Sequence, residues 1–350
     1  MKKSRIVLLC LLMAVSLFAV CGTTASSAQD ANSLAQFKSD KDPSEWTIAV
    51  VVKDMTNSWF SYLNQGVVEF AADTGINAYQ TGPTETDAAL QIQVIEDLIA
   101  QGVDAIAVVP SDPSSLEAVL GEALDQGIVV ITHEAVSQEN TLFDIESVNN
   151  IEYGEFLMEM LAKSMNYEGV YTTMVASLTA ESHNLWADAA IAYQKANYPD
   201  MILLEAQPKV EHGDNSETAY EKTKELLKTY PEVTGIFACG SPGGPGASRA
   251  VEELGLSGKV KVVGQGILSE NKDYLESGTL VGYERWAAEH AGYAMCSLAA
   301  KILAGETIEA GIDLNVDGFR SIAFAEDSDK VIVGSDMVAV TKENMGEVEY

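Results

Sequence analysis

The chain has 350 residues, and its 47% hydrophobic and 21% charged content is typical of soluble globular proteins rather than of disordered chains. Asp and Glu total 52 against 21 Lys and Arg, which gives a formal net charge of -31. A surface this acidic argues against nucleic acid and anionic lipid headgroups as partners. The length allows two domains of ordinary size.

The first residues have the pattern of an export signal. Lys2, Lys3 and Arg5 precede the apolar run Ile6 to Val20, which is shorter than the ~20 residues that a membrane-spanning helix needs. Residues 1–21 are therefore predicted to be a signal peptide. The protein is predicted to be exported to the periplasm or to the outer face of the cytoplasmic membrane.

Two cleavage sites are open. Leu17 to Cys21, followed by Gly22, is similar to a lipobox, in which the Cys21 thiol is acylated and anchors the protein to the membrane. Ser26-Ser27-Ala28 is a small-residue site for ordinary signal peptidase. The lipobox is preferred, since residues 22–45 would then form a flexible tether.

Strand and helix patterns alternate from Trp46 onwards. The run Trp46 to Val52 is continuously apolar, as in a strand that is buried on both faces of a parallel sheet. Strand patterns recur at 76–81, 105–110 and 128–132, with helical patterns at 59–73, 87–101 and 114–125. A second alternating set covers residues 151–264, and a strand at 280–284, a helix at 287–303 and a less regular tail follow it. The sequence predicts an α/β fold with two doubly wound parallel-sheet lobes.

Polar residues stand beside aromatic ones after the predicted strands, where open α/β sheets bind their ligands. That mixture suits a polyhydroxylated ligand, whose hydroxyls need hydrogen bonds while its C–H faces pack on rings. The candidate ligand-binding residues are Lys53, Asn57, Trp59, Phe60, His133, Glu134, His183, Asn184, Trp186, Ser241, Gln265 and Trp286.

Other chemistries find little support in the sequence. The four His residues show no metal-ligand spacing, so we predict no metal and no cofactor. The glycine-rich segment 240–248 lacks the Gly-Lys-Ser/Thr of a phosphate-binding loop, and no GxSxG nucleophile motif is present. Cys239 and Cys296 are expected to be separate buried thiols rather than a disulfide.

Four segments carry a resemblance to a known family. Residues 53–61 (KDMTNSWFS), 81–116 (from TGPTETD to SDPSSL), 129–134 (VVITHE) and 340–350 (VTKENMGEVEY) are similar to the type I periplasmic sugar-binding proteins of ABC transporters. Within that family the chain most resembles the autoinducer 2 and rhamnose-binding branch. The resemblance covers about Trp46 to Tyr350, nearly the whole mature chain.

The resemblance implies two discontinuous lobes joined by three hinge crossovers. We expect these crossovers near Ser147, Arg285 and Ile312. The N-terminal lobe would then contain residues 46–147 and 287–311, and the C-terminal lobe residues 148–286 and 312–350.

The resemblance also assigns roles to several candidates. Lys53 matches a Lys that donates to a ligand oxygen, and Glu134 stands where the family has an Asp that accepts from ligand hydroxyls. Trp59 and Phe60, which follow Asn57, match an aromatic pair, and Trp286 matches a Trp at the last hinge. The autoinducer branch would show Asp-Gln at Ser182-His183 and Pro-Asp-Ala after Cys239, so a sugar, deoxysugar or sugar-derived diol is the expected ligand.

The predicted function is that of an extracytoplasmic solute-binding protein and not of an enzyme. Its partners would be a small sugar-like ligand and an ABC transporter permease, with no nucleic acid, and the protein would be a monomer. The alternative is a receptor that presents a sugar or autoinducer 2 to a membrane sensor. A secreted hydrolase or isomerase is a third hypothesis, but the sequence offers no nucleophile–base or metal set for it.

Overall fold

Two separate β-sheets with covering helices make up the computed structural model, which describes residues 34–335 and 337–348. The strands are β1 (Thr47–Val51), β2 (Asn77–Thr81), β3 (Ala105–Val108), β4 (Val129–His133), β5 (Phe143–Glu146), β6 (Gly169–Val175), β7 (Met201–Leu203), β8 (Lys209–Glu211), β9 (Val233–Ala238), β10 (Lys261–Gln265), β11 (Leu280–Arg285), β12 (Ala323–Phe324), β13 (Val331–Val333) and β14 (Val338–Thr341).

The α-helices of the described residues lie mainly between consecutive strands. They are α1 (Ser58–Thr74), α2 (Ala88–Gln101), α3 (Pro113–Asp125), α4 (Asn150–Ser164), α5 (Glu181–Asn197), α6 (Ser216–Thr229), α7 (Gly243–Glu253), α8 (Leu268–Ser277) and α9 (Ala288–Ala304). Asn57 and Asp87 cap α1 and α2 by accepting hydrogen bonds from Trp59 N (2.9 Å) and Leu90 N (2.9 Å).

The first sheet has the strand order β12-β13-β5-β4-β3-β1-β2, and the second has the order β14-β11-β10-β9-β6-β7, with β8 also paired to β6. All pairs are parallel except β12 with β13 and β14 with β11. We call each sheet with its helices the first and the second lobe. The predicted α/β fold with two parallel-sheet lobes is confirmed.

Burial on both faces explains the continuous apolar run at β1. Ile48 and Val50 pack into one hydrophobic cluster, whereas Ala49 and Val51 pack into another on the opposite face. Each strand therefore sits between two layers of side chains. The carboxyl ends of the parallel strands remain available for polar residues at the sheet edge.

Within residues 34–335 and 337–348, the chain crosses between the lobes three times. The first crossing lies between Glu146 and Asn150, and the second between Arg285 and Ala288. The third lies between Val333 and Val338, and not near Ile312 as the sequence suggested. The reason is that β13 pairs in parallel with β5, so β12 and β13 extend the first sheet, and only the last strand joins the second sheet.

Residues 34–45 pack on the first lobe, which corrects the prediction of a flexible tether over 22–45. Leu34 and Phe37 are buried in a hydrophobic cluster that includes Ile48 of β1, and Ser39 N donates to Leu303 O of α9 (2.9 Å). Lys41 pairs with Asp104 at 2.6 Å. The buried apolar side chains hold a segment whose polar composition had suggested a linker.

Some predictions concern residues 1–33. The signal peptide, Cys21 and the alternative cleavage site at Ser26-Ser27-Ala28 lie outside the described residues. Within the described ranges, no helix combines the length and the apolar character required to cross a bilayer.

Cys239 and Cys296 are separate buried thiols, as expected.

Candidate functional site

The polar residues that follow the strands of both lobes meet in one small cavity between the lobes. Its volume is about 20 Å³. The lining consists of Lys53, Asn57, Trp59, Phe60 and Glu134 from the first lobe and His183, Asp214, Gly240, Ser241 and Gln265 from the second. Larger grooves, one of 550 Å³ beside the first crossing, are lined by none of the candidate ligand-binding residues. The small cavity is therefore the candidate site.

An ion pair dominates the first-lobe side of the cavity. Lys53 follows β1 and Glu134 follows β4, and their Nζ and Oε2 atoms lie 2.7 Å apart with both side chains buried. Glu134 has φ +60°, in the left-handed region that a residue with a side chain adopts at a cost. Such a conformation directs its carboxylate toward the ammonium group.

The charges of the pair keep both groups ionised. Burial would raise the pKa of Glu134, but the positive charge of Lys53 outweighs it and lowers that pKa to about 2. Burial would lower the pKa of Lys53, yet the carboxylates of Glu134 and Asp214 raise it above its ordinary value. The cavity therefore contains a strong donor beside a strong acceptor at neutral pH.

On the second-lobe side, His183 is fixed by the backbone. Ala176 N donates to His183 Nδ1 (3.0 Å), so the neutral ring carries its proton on Nε2. Gly240 has φ +75°, and a Cβ at this position would lie 2.7 Å from His183 Cε1. Only glycine therefore allows the β9–α7 loop to approach the imidazole so closely.

Two hydrogen bonds between described residues are examples of contacts that join the lobes across the cleft. Ser241 Oγ donates to Asn57 Oδ1 at 3.4 Å, which is a long bond, and Ser137 N donates to Glu181 Oε2 at 3.2 Å. Neither bond is short, and neither joins two charged groups. These two bonds therefore contribute only modestly to holding the lobes together.

Comparison with known proteins decides the family. A model of the periplasmic binding protein domain matches residues 48–307. The chain belongs to the periplasmic binding protein family. This match confirms the resemblance seen in the sequence.

A curated relative of this periplasmic binding protein is the D-ribose/D-allose-binding protein of Pseudomonas aeruginosa. The two are 27% identical over 288 residues, which is 76% of this chain and 85% of the relative. LsrB from Clostridium saccharobutylicum in complex with AI-2 superposes with a TM-score of 0.80 at 21% identity, covering 87% of this chain and all 100% of that one.

A solute-binding protein from Clostridium phytofermentas with bound L-rhamnose superposes with a TM-score of 0.78 at 24% identity, covering 86% of this chain and 97% of that one. At these identities the solved structures show a shared fold. This periplasmic binding protein therefore has the same two-lobe architecture.

An aromatic cluster lies under the cavity of this periplasmic binding protein. Trp59 meets Trp286 edge to face at 5.3 Å, and Trp286 meets Trp186 and Tyr153 at 5.5 and 5.6 Å. Trp59 and Phe60 line the cavity, whereas Trp186 and Trp286 are fully buried behind it. The two deeper rings support the site and join the lobes at the hinge, but they do not reach the cavity.

The remaining candidates divide clearly. The structure brings Lys53, Asn57, Trp59, Phe60, Glu134, His183, Ser241 and Gln265 together. His133 points away, because its Nδ1 bonds Ile145 O of the neighbouring strand. Asn184 bonds Ser177 O and Ala180 O through Nδ2 and accepts from Lys209, outside the cavity.

Sequence reasoning missed Asp214 and Gly240 as lining residues. Asp214 follows β8, whose three residues give no recognisable alternation. Gly240 stands next to the candidate Ser241, but glycine has no side chain that would mark it as a ligand contact. The available signal was the position of both residues in loops that lead from a strand to a helix of the second lobe.

Burial of His183 generates a pH prediction. Burial lowers its pKa to about 4, although Asp214 opposes this shift. Between pH 6.5 and 4 the unfolded chain binds a proton on this residue that the folded protein does not, so stability falls as the pH falls. The free energy of unfolding should therefore decrease by on the order of 3 kcal/mol from pH 6.5 to pH 4 because of His183, and His183→Gln should abolish this decrease.

Urea unfolding of the wild type and of His183→Gln at a series of pH values measures this effect. The difference between the two free energies of unfolding is the relevant quantity, because other groups titrate in both proteins. If the free energies of unfolding of the two proteins differ by the same amount at every pH from 7 to 4, His183 is not held neutral in the folded state.

Proposed function

We propose that this protein captures a sugar or sugar-like molecule between its two lobes and delivers it to an ABC importer. The buried Lys53–Glu134 pair, at 2.7 Å in a cavity that both lobes form, carries the proposal. An ammonium donor beside a carboxylate acceptor can satisfy a hydroxyl group in both directions. Trp59 and Phe60 offer ring surfaces for C–H faces.

The small size of the cavity supports binding by hinge closure. A volume of about 20 Å³ is far below the ~300–1,000 Å³ of ordinary ligand pockets. The lobes must therefore separate to admit a sugar and then close around it. Three chain crossings are the segments in which such a movement would take place.

The names of relatives support the ligand class. The curated relative is named for D-ribose and D-allose, and the solved structures contain L-rhamnose and AI-2. All of these are small polyhydroxylated molecules. We infer a ligand of this class, and a monomeric protein whose two lobes both remain free to contact a permease.

Loss of either charge should abolish tight binding. Lys53→Ala or Glu134→Ala should weaken sugar affinity by about thirtyfold or more, because a buried charge left without its partner costs ~2 kcal/mol or more. Calorimetric titration with the tightest sugar from a thermal-shift panel of monosaccharides and deoxysugars measures this.

Two further variants separate binding from folding. The double variant Lys53→Met with Glu134→Gln removes both charges of the pair and leaves neither one buried alone, so it should fold with near wild-type stability and still fail to bind. Lys41→Ala removes an exposed first-lobe cation at its pair with Asp104 and should bind normally. Wild-type affinity in both Lys53→Ala and Glu134→Ala would remove these residues from the site.

We also propose that the protein is exported and anchored by a lipid on Cys21. Cys21→Ala should then release the protein from the membrane fraction without changing its sugar affinity. Cell fractionation followed by titration of the released protein measures both quantities. Complete membrane association of the variant would exclude acylation at this cysteine.

A further inference from the structure

The cavity contains a second carboxylate besides Glu134. Asp214 lines the second-lobe side, is half-buried, and has φ +52°, in the left-handed region. A non-glycine residue in this conformation is strained, and strained residues concentrate at binding and catalytic sites. The conformation requires an explanation in terms of what the side chain does.

The loop that carries Asp214 is firmly fixed. His212 N donates to Val175 O (3.0 Å) and Gly213 N donates to Ala176 O (2.8 Å). Asn215, not Asp214, caps α6 by accepting from Thr218 N at 2.9 Å. The Asp214 carboxylate is therefore not needed to begin the helix.

The charges around the cavity do not balance. Its lining contains two carboxylates, Glu134 and Asp214, and one ammonium group, Lys53, which already bonds Glu134. Among the described residues, no Lys or Arg lies within ion-pair distance of Asp214. Burial lowers the pKa of His183 to about 4, so its ring adds no charge near neutral pH. The lining thus has one negative charge in excess.

We propose that Asp214 is a specificity-determining residue that makes the cleft prefer a sugar bearing a protonated amine and disfavour the same sugar bearing a carboxylate. The inference rests on the proposed function, because it concerns the ligand of the same cavity. A ligand ammonium group would neutralise the excess charge at closure. A ligand carboxylate would add a second unpaired negative charge to a site that excludes water.

A neutral sugar, its amino derivative and its uronate, all with the same ring, test the inference. Calorimetric titration compares glucose, glucosamine and glucuronate, and likewise galactose, galactosamine and galacturonate, at a pH where the amine is protonated. In the wild type, at least one amino sugar should bind about tenfold or more tighter than its uronate. Asp214→Asn, which keeps the side-chain size and tolerates the left-handed region, should reduce that ratio by about tenfold.

Glu205→Gln is the matched control. Glu205 is an exposed carboxylate of the second lobe, so the substitution makes the same change in net charge outside the cavity. It should leave the ratio unchanged.

The failures are distinguishable. If the protein binds no sugar of the wider panel, the proposed function fails. If it binds neutral sugars but no amino sugar, or if Asp214→Asn keeps the wild-type ratio, the assignment of Asp214 alone is overturned.

Discussion

Lys53 and Glu134 lie 2.7 Å apart where water is almost excluded, and a buried charge without its partner is strongly destabilising. This constraint fixes the loops after β1 and β4 relative to each other. It also accounts for the retention of the left-handed backbone at Glu134, since the ion pair depends on that orientation. A ligand that enters the cavity has to replace every hydrogen bond that it disturbs, and polyols offer both donors and acceptors for this purpose.

The same constraint couples the site to the hinge. The pair belongs entirely to the first lobe, and the second lobe completes its enclosure. Hydrogen bonds connect the third crossing to the other two. Gly334 N donates to Glu146 O at the first crossing (2.7 Å), and Val338 N donates to Glu284 Oε1 beside the second (3.1 Å). The Ser241–Asn57 bond between the lobe edges is long at 3.4 Å, so a ligand that contacts both sides adds free energy that favours the closed lobes.

Buried parallel strands are the part of this fold that sequence predicts best. The continuous apolar runs at β1, β3 and β4 indicate strands, and the rule that ligands bind at their carboxyl ends leads directly to Lys53 and Glu134. The third crossing was misplaced because β12 and β13 have two and three residues, too few for a periodic pattern. Residues 34–45 looked like a linker because they are mostly polar, and only Leu34 and Phe37 of this segment enter the hydrophobic cluster.

The misassigned site residues have a related cause. Side chains alternate along a strand, so His133 and Glu134 differ in direction although they are neighbours. Trp186 and Trp286 are aromatic residues near a strand end, and composition does not distinguish a ring that lines a cavity from one that supports it. Asp214 follows a strand that is too short to recognise.

The central claim is that the lobes close around a sugar at the Lys53–Glu134 pair. Spin labels on Met55→Cys and Leu178→Cys, exposed positions on the loops after β1 and β6, would report the distance between the lobes, since Cys239 and Cys296 are buried. Pulsed electron resonance should show a broad distribution without ligand. Saturation with the tightest-binding monosaccharide should give a shorter and narrower distribution. An identical distribution with and without the bound sugar would contradict the account.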